Sequence, residues 1–271
     1  MKIINLIENT CGRPECEAAH GLSFYIETPK HKLLMDAGPS ELTVRNADAL
    51  GIDLSQVDTV IVSHGHYDHS DGLPAFLTRN AGARVYIRRE AGEDYQSTLD
   101  GLHYIGMDPA IAASGRVTWV EGNLRIDDEL SLFGRISGRR HWPESNRALM
   151  VRRHGVCVQD GFRHEQCLVI EAEGKTVLLS GCAHSGILNI LDRYRDLYDS
   201  APDVVISGFH MMKRGEYAES ERRTIDETAR ELANWPSRFY TCHCTGLPAF
   251  ARMKVIMGDQ LHYVHCGEAI E

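Results

Sequence analysis

The sequence predicts an α/β protein in which helices cover two β-sheets, a four-layer αβ/βα sandwich. Runs of β-branched residues typical of buried strands alternate with helical segments in both halves of the 271-residue chain. Residue types that bind metals recur directly after strands in each half. We therefore expect the two halves to face each other, with these residues at a shared sheet edge. Residues 1–271 are expected to form one domain.

The first half is predicted to contain a β-hairpin, two helices and two further strands. The hairpin is expected over 22–27 and 32–36, the helices over 41–50 and 73–80, and the strands over 57–62 and 84–87. The segment of roughly 90–163 is the least regular part of the chain. We predict that it holds the remaining strands of this half and an insertion lying over the candidate site.

The second half continues the same alternation. Strands are predicted over 166–171, 176–180, 203–207, 238–241 and 261–265, and helices over 187–198, 220–234 and 247–257. A Cys or His follows within three residues of the end of the strands predicted over 176–180, 203–207 and 238–241. This half therefore contributes further candidate ligands.

Charge and composition narrow the function class. The formal net charge of −9 argues against broad binding of nucleic acid through phosphates. The first eight residues, 1–8, are charged too early for a secretory signal, and no apolar run reaches the length of a transmembrane helix. We expect a cytoplasmic protein with no nucleic-acid or membrane partner. A small anionic substrate remains compatible, because bound metals would make the pocket locally positive. The sequence indicates no oligomeric state.

The eight cysteines contain no Cys-x-x-Cys pair and do not resemble the framework of a small secreted protein. Most are expected to be reduced thiols. The spacing of Cys11 and Cys16 is compatible with a structural metal clip or with a disulfide. They supply only two ligands, however, and the neighbouring sequence supplies no others.

The most informative motif is 63–69, Ser-His-Gly-His-Tyr-Asp-His, which directly follows the strand predicted over 57–62. Imidazole and carboxylate ligands suit Zn²⁺, and also Mn²⁺ or Fe²⁺. A turn at a strand end directs neighbouring side chains apart. His64 and His66 are therefore predicted to serve one metal, and Asp68 and His69 a second.

The order of these segments resembles the metallo-β-lactamase superfamily: a strand, then His-x-His-x-Asp-His, then residues 70–74. The resemblance implies two divalent metal ions, with zinc expected and manganese or iron as alternatives. It implies His164, just before a mid-chain strand, as the third ligand of the first metal. It also implies His243, after a late strand, as the further ligand of the second. Asp36 resembles an early Asp of the family that orients metal-bound groups through hydrogen bonds.

One ligand position stays open. Most relatives have a bridging Asp after the strand that follows His164, whereas this chain offers Cys182 and, two residues later, His184. Both can face the metals, because residues i and i+2 of an extended chain share a side. Either completes the cage, and the other supports it or contacts substrate. The predicted catalytic residues are Asp68, His184 and His210. Cys242 and Cys244 are interpreted as packing residues.

Several motifs together resemble one branch of the superfamily. It is named for 7,8-dihydropterin-6-ylmethyl-4-(β-D-ribofuranosyl)aminobenzene 5′-phosphate synthase. The motifs lie at 8–10, 20–23, 46–47, 63–69, 160–166, 181–190, 208–210 and 243–246. The resemblance implies a dinuclear metal-dependent hydrolase in which metal-activated hydroxide attacks an ester, lactone or phosphodiester. The alternatives are a dihydropterin diphosphate–arylamine transferase that releases diphosphate, and a non-catalytic binding or sensing protein.

Overall fold

Two seven-stranded sheets and a smaller four-stranded sheet make up the β-structure of the computed structural model, which describes residues 1–270. The strands of the first half are β1 (Lys2–Ile7), β2 (Ser23–Glu27), β3 (Lys32–Met35), β4 (Thr59–Ile61), β5 (Arg84–Arg88), β6 (Asp94–Ser97), β7 (His103–Tyr104), β8 (Val117–Val120) and β9 (Leu124–Arg125). The later strands are β10 (Leu130–Gly134), β11 (Leu149–Arg153), β12 (Val156–Gln159), β13 (Gln166–Ala172), β14 (Lys175–Ser180), β15 (Val204–Ser207), β16 (Arg238–Thr241), β17 (Leu261–Tyr263) and β18 (Ala269–Ile270).

The α-helices lie mainly outside the two large sheets. They are α1 (Leu42–Ala49), α2 (Tyr67–Ser70), α3 (Leu73–Arg79), α4 (Pro109–Ala113), α5 (Ile187–Tyr198), α6 (Glu219–Leu232) and α7 (Leu247–Met257). Among residues 1–270, no helix has both the length and the apolar character needed to cross a bilayer.

Each large sheet has a parallel centre. The first has the order β18-β1-β2-β3-β4-β5-β8 and is parallel from β3 to β8. The second has the order β17-β16-β15-β14-β13-β10-β9 and is parallel from β14 to β17. The small sheet has the order β12-β11-β6-β7.

Period-two patterning along the strands produces the layers. On β13, Leu168 and Ile170 pack between the two sheets with Phe24 and Leu33 of the first sheet. Their neighbours on β13 face the other way, where Val169 joins the core under α5, α6 and α7. A third core lies between α1, α3 and the outer face of the first sheet. The four-layer sandwich predicted from the sequence is confirmed.

The irregular segment 90–163 is divided among all three sheets. It supplies β8 to the first sheet and β9 and β10 to the second, as predicted for the remaining strands. The rest forms the four-stranded sheet, whose small core contains Tyr95, Val151 and Phe162. The assignment of 1–271 to one domain stays a prediction.

A partly buried imidazole links the loops at the far end of the sandwich. His31 Nδ1 lies 2.9 Å from Asp58 Oδ1, and its Nε2 lies 2.6 Å from Asp127 Oδ2. Burial on its own would lower the pKa of His31, but the hydrogen bonds to the two carboxylates outweigh it and raise the pKa. Asp58 precedes β4 and Asp127 lies between β9 and β10, so His31 joins the two large sheets.

This link predicts a pH-dependent contribution to stability. A raised histidine pKa stabilises the fold fully below the unfolded pKa of about 6.5, and the contribution fades as the pH rises through the folded value. His31→Gln should lower the free energy of unfolding by up to about 1 kcal/mol near pH 5.5, since the partners are partly exposed, and by less near pH 8.5. Denaturant titrations at both pH values test this, with His154→Asn on the exposed β11–β12 turn as control. An equal loss at both pH values would contradict it.

Candidate metal centre

The carboxyl ends of parallel strands from both sheets meet at one edge of the sandwich, which is where ligands bind in many α/β folds. Asp36 follows β3 and the motif 63–69 follows β4 in the first sheet. In the second sheet, 181–184 follow β14, 208–210 follow β15 and 242–244 follow β16. The fold therefore brings together all the strand-end motifs that the sequence indicated.

Two glycines allow these strand ends to approach closely. A Cβ on Gly181 would lie 2.2 Å from Ser63 Oγ and 3.2 Å from Asp36 Oδ2, and one on Gly208 would lie 2.4 Å from Cys244 Sγ. No larger residue fits at either position without moving the groups that line the centre.

The backbone at this edge is strained. Asp36, Ala183, His210 and His243 all have left-handed φ angles, of +60°, +53°, +50° and +46°. Such conformations are unfavourable for residues other than glycine and concentrate at functional sites. The four residues follow four different strands, β3, β14, β15 and β16, whose ends meet at this edge.

His64, His66 and His184 form the first ligand cluster. Each offers a ring nitrogen, and the three nitrogens lie within 4.8 Å of one another. His64 Nε2 is 3.2 Å from His184 Nε2, while the buried His66 Nε2 has no hydrogen-bond partner among residues 1–270. Three buried imidazoles turned toward one point are costly to leave unpaired, and a divalent cation would satisfy them.

Hydrogen bonds orient this cluster. His184 Nδ1 lies 3.0 Å from Asn146 Oδ1, and Asn146 Nδ2 donates to the His184 carbonyl at 2.7 Å, which fixes the amide orientation. Nδ1 of His184 is thus the donor, and its Nε2 lone pair is left free. His64 Nδ1 lies 2.9 Å from Ser63 Oγ, which allows the same arrangement. Supporting contacts of this kind are typical of histidines that bind metals.

Asp68, His69 and His243 form the second cluster. Asp68 Oδ2 is 3.2 Å from His243 Nε2 and 3.7 Å from His69 Nε2. His69 Nδ1 bonds Asp36 Oδ2 at 2.7 Å, and His243 Nδ1 bonds Asn9 Oδ1 at 2.8 Å. Both rings again direct Nε2 inward, with a carboxylate between them.

His164 was predicted as the third ligand of the first metal, and its contacts argue against that role. Its Nδ1 accepts a hydrogen bond from the Gly65 backbone N–H at 2.9 Å, and its Nε2 lies 2.9 Å from Asp160 Oδ2. Both ring nitrogens are therefore engaged, and neither faces the cluster. His184 has the free nitrogen at this position, so the geometry favours His184 over His164. His164 instead buttresses the backbone between His64 and His66.

Cys182 lies between the clusters, and His210 lies beside the first cluster. Cys182 Sγ is 3.2 Å from His69 Nε2, and its sulfur also groups with ring nitrogens of His184 and His210 within 4.8 Å. His210 Nδ1 is buried and unpartnered in the described part of the chain. Cys244, interpreted from the sequence as a packing residue, also lies close enough to group with Cys182 and His243.

Electrostatics differ between the clusters. Burial, reinforced by the neighbouring imidazoles, holds the pKa of His64 and His184 well below the usual range and lowers that of His66 to about 3. These rings are therefore neutral, which is the form that binds metals. Burial would raise the pKa of Asp68, but the attraction of His69 and His243 keeps it well below normal.

Sequence reasoning missed two residues of the site. His20, which lies in the motif 20–23 but was given no role, places Nε2 3.4 Å from Asp68 Oδ2 and is half exposed at the mouth of the second cluster. Glu165 is buried, and its carboxylate accepts the backbone N–H groups of His184 at 2.6 Å and Ser185 at 3.0 Å. The signal available for Glu165 was a charged residue next to His164, just before an apolar strand.

Glu165 is expected to hold the loop that carries His184. Glu165→Gln keeps the side-chain volume but replaces one carboxylate oxygen with an NH2 group, which cannot accept a hydrogen bond from a backbone N–H. We expect metal affinity at the first cluster to fall about 10- to 100-fold, as for other residues that support ligands. Competitive metal titration measures this, with Glu171→Gln on the exposed side of β13 as control. Unchanged affinity in Glu165→Gln would show that the loop is held by other contacts.

Comparison with known proteins agrees with this architecture. Residues 17–143 match the family described as the metallo-beta-lactamase superfamily. The solved structure of Tm1679, a metal-dependent hydrolase of the beta-lactamase superfamily, superposes with a TM-score of 0.82 and 29% sequence identity, covering 100% of this chain and 98% of that one. The resemblance to the metallo-beta-lactamase superfamily that the sequence motifs indicated is confirmed. The superfamily fold usually binds divalent metals, and the two clusters fit that property.

Two relatives of this chain come from Methanocaldococcus jannaschii. One is an uncharacterized protein, 26% identical over 270 residues and covering 98% of both chains. The other is 7,8-dihydropterin-6-methyl-4-(beta-D-ribofuranosyl)-aminobenzene-5'-phosphate synthase, 26% identical over 301 residues and covering 100% of this chain and 96% of the relative. The resemblance to this branch, inferred from the sequence motifs, is confirmed.

Proposed function

We propose that the protein is a dinuclear metal-dependent hydrolase acting on an ester, lactone or phosphodiester. The observation that carries the proposal is the pair of adjacent ligand clusters at one sheet edge. His64, His66 and His184 form one, and Asp68, His69 and His243 form the other. Zinc is the expected metal, because imidazole, carboxylate and thiolate donors all suit it, and manganese or iron are alternatives.

Two bound divalent ions would lower the pKa of water toward neutrality and polarise a carbonyl or phosphoryl oxygen. The residues of the chain supply the rest. The neutral imidazoles of the first cluster hold one ion without adding charge, whereas Asp68 adds a negative charge to the second. Asp36 and Asn9 keep the rings of His69 and His243 oriented.

His210 and His20 are placed to act on the substrate. His210 is half buried, and its Nδ1 is free of partners among the residues described. It is placed to donate a hydrogen bond to an oxygen of the substrate that gains charge. His20 lies on the solvent side of Asp68 and is placed to contact the leaving group. On this proposal His184 is a metal ligand, and the catalytic contacts come from His210 and from the Asp68 side of the centre.

The walls of the centre limit the access of water. Phe162 stacks on the His184 ring with centroids 4.6 Å apart and planes 7° apart, and Tyr95 packs 4.0 Å from His164. Both aromatic residues are almost completely buried. We infer that the substrate is small and anionic, because the positive charge of the ions would attract it. We also propose a cytoplasmic location.

A transferase is the second candidate. It is favoured by the similarity to the synthase, which extends over nearly the full length of both chains. An identity of 26% does not define the substrate of this chain. In that reaction the same clusters would bind diphosphate as the leaving group, and an arylamine would attack carbon. The two candidates need the same ligands and differ in the second substrate.

One assay separates the candidates. Zinc-loaded protein is incubated with dihydropterin diphosphate and an arylamine, and in parallel with an aryl ester, a lactone and a phosphodiester. Hydrolysis of one of the latter, lost in His66→Ala, supports the hydrolase. Release of diphosphate only when the arylamine is present overturns it in favour of the transferase. Consumption of none by fully loaded protein favours the non-catalytic alternative.

A further inference from the structure

Three cysteines from distant parts of the chain meet outside the two ligand clusters. Cys11 and Cys16 lie in the loop after β1, and Cys266 lies just before β18. Cys11 and Cys266 form an isolated parallel β-bridge, in which Cys266 N–H donates to Thr10 O and Gly12 N–H donates to Cys266 O, both at 2.9 Å. Residues paired in this way present their side chains on the same face.

A tight turn brings the third thiol to the same place. Cys16 N–H donates to Arg13 O at 3.2 Å, which folds the loop back, and Cys11 Sγ donates to Cys16 O at 3.1 Å. The spacing that suggested a two-ligand clip in the sequence thus gains a third sulfur from the other end of the chain.

The glycines after Cys11 and Cys266 make this convergence possible. A Cβ on Gly267, whose φ is +86°, would lie 3.0 Å from Cys16 Sγ and 2.9 Å from Arg13 Cβ. A Cβ on Gly12 would lie 2.6 Å from Glu268 Cγ. The backbone is therefore packed directly against the sulfur of Cys16.

The burial of the three thiols is graded. Cys266 is 0% exposed and Cys16 is 6% exposed, whereas Cys11 is exposed to solvent. An ion can therefore approach from the Cys11 side and reach two buried sulfurs. Thiolate sulfur is a soft ligand that selects Zn²⁺ and similar thiophilic ions, and such an ion displaces the thiol protons when it binds.

We propose that Cys11, Cys16 and Cys266 form a third metal site, separate from the dinuclear centre, that takes a thiophilic ion such as Zn²⁺. The three sulfurs supply three of the four ligands that zinc prefers, and solvent beside Cys11 supplies the fourth.

The site cross-links the loop 8–20 to the C-terminal segment. Glu8 and Asn9 lie at one end of that loop and hold His243, through Glu8 Oε1 to the backbone N–H and Asn9 Oδ1 to Nδ1, both at 2.8 Å. His20 lies at the other end, beside Asp68. An ion bound to the three thiols would therefore stiffen the loop whose two ends contact the second cluster.

Zinc counting by native mass spectrometry tests the proposal. Reduced wild-type protein, Cys11→Ser, Cys16→Ser and Cys266→Ser are loaded with Zn²⁺ and desalted. Cys157→Ser, on β12 in the small sheet, is the matched control. We expect each of the three variants to hold one ion fewer than the wild type, and Cys157→Ser to hold the same number. This difference does not depend on how many ions the main centre binds, so it is independent of the proposed hydrolase activity.

Two results would overturn the proposal. One is that Cys11→Ser, which changes an exposed side chain and should fold, binds as many ions as the wild type. The other is that the native protein carries a disulfide between two of these cysteines, seen as the loss of two hydrogens in the intact mass and of two alkylatable thiols. Co²⁺ substitution adds a second readout, since thiolate-to-cobalt absorption should decrease in the three variants and persist in Cys157→Ser.

Discussion

His184→Ala is expected to remove one metal ion per chain and to abolish activity. His184 Nε2 is one of three imidazole nitrogens that converge in the first cluster, and two histidines alone hold a divalent ion poorly. The loss of affinity should exceed the roughly 10- to 100-fold typical of removing a residue that only supports a ligand. Metal analysis after dialysis, together with turnover of whichever substrate the assay identifies, measures both effects.

His164→Ala is the informative comparison. Its removal leaves Asp160 and the Gly65 N–H without their buried partner, which should destabilise the fold by about 1–3 kcal/mol. We expect the folded protein to keep both ions. His164→Gln, which retains a polar side chain, serves if the alanine variant does not fold. A His164 variant that loses an ion, beside a His184→Ala protein that keeps both, would reverse the two assignments.

Asp36→Ala should be among the most destabilising single substitutions in the protein. The buried carboxylate accepts hydrogen bonds from Ser63 N at 2.6 Å and Ser63 Oγ at 2.7 Å, and it pairs with His69 Nδ1 at 2.7 Å. Alanine leaves these groups unpaired and also sits poorly at a φ of +60°. Removing one partner of a buried pair costs about 3–5 kcal/mol. Equilibrium unfolding in denaturant measures the difference.

Asp36→Asn separates folding from metal binding. Asparagine tolerates the left-handed conformation, and its carbonyl oxygen still accepts the Ser63 N–H. It cannot supply a second acceptor for His69, so we expect a folded protein whose second cluster binds metal about 10- to 100-fold more weakly. Asp128→Asn, on an exposed loop, is the control. Full metal affinity in Asp36→Asn would mean that His69 is oriented by other contacts.

The fold was predictable because its signals are local and strong. The buried strands β13 and β14 are β-branched and apolar, and α5 and α7 begin and end at the residues that the pattern indicated. The position of ligands after β4, β14, β15 and β16 was enough to place the site. A parallel sheet brings strand ends to one edge whatever the intervening loops do.

The choice among neighbouring histidines was not predictable, because it depends on which ring nitrogen is free. His164 and His184 both lie beside the cluster, and only their hydrogen bonds to Asp160 and Asn146 separate them. Asn146 belongs to the irregular segment 90–163, whose path the sequence pattern did not define. The meeting of Cys266 with Cys11 and Cys16 likewise depends on a contact between the two ends of the chain.

Two ions are proposed to occupy the two clusters, and anomalous diffraction from crystals of zinc-loaded protein tests this most directly. Data collected on both sides of the zinc absorption edge locate each ion without reference to activity. We predict one peak among His64, His66 and His184 and a second among Asp68, His69 and His243. A single peak at this edge, or a peak bound by His164 in place of His184, would contradict the account.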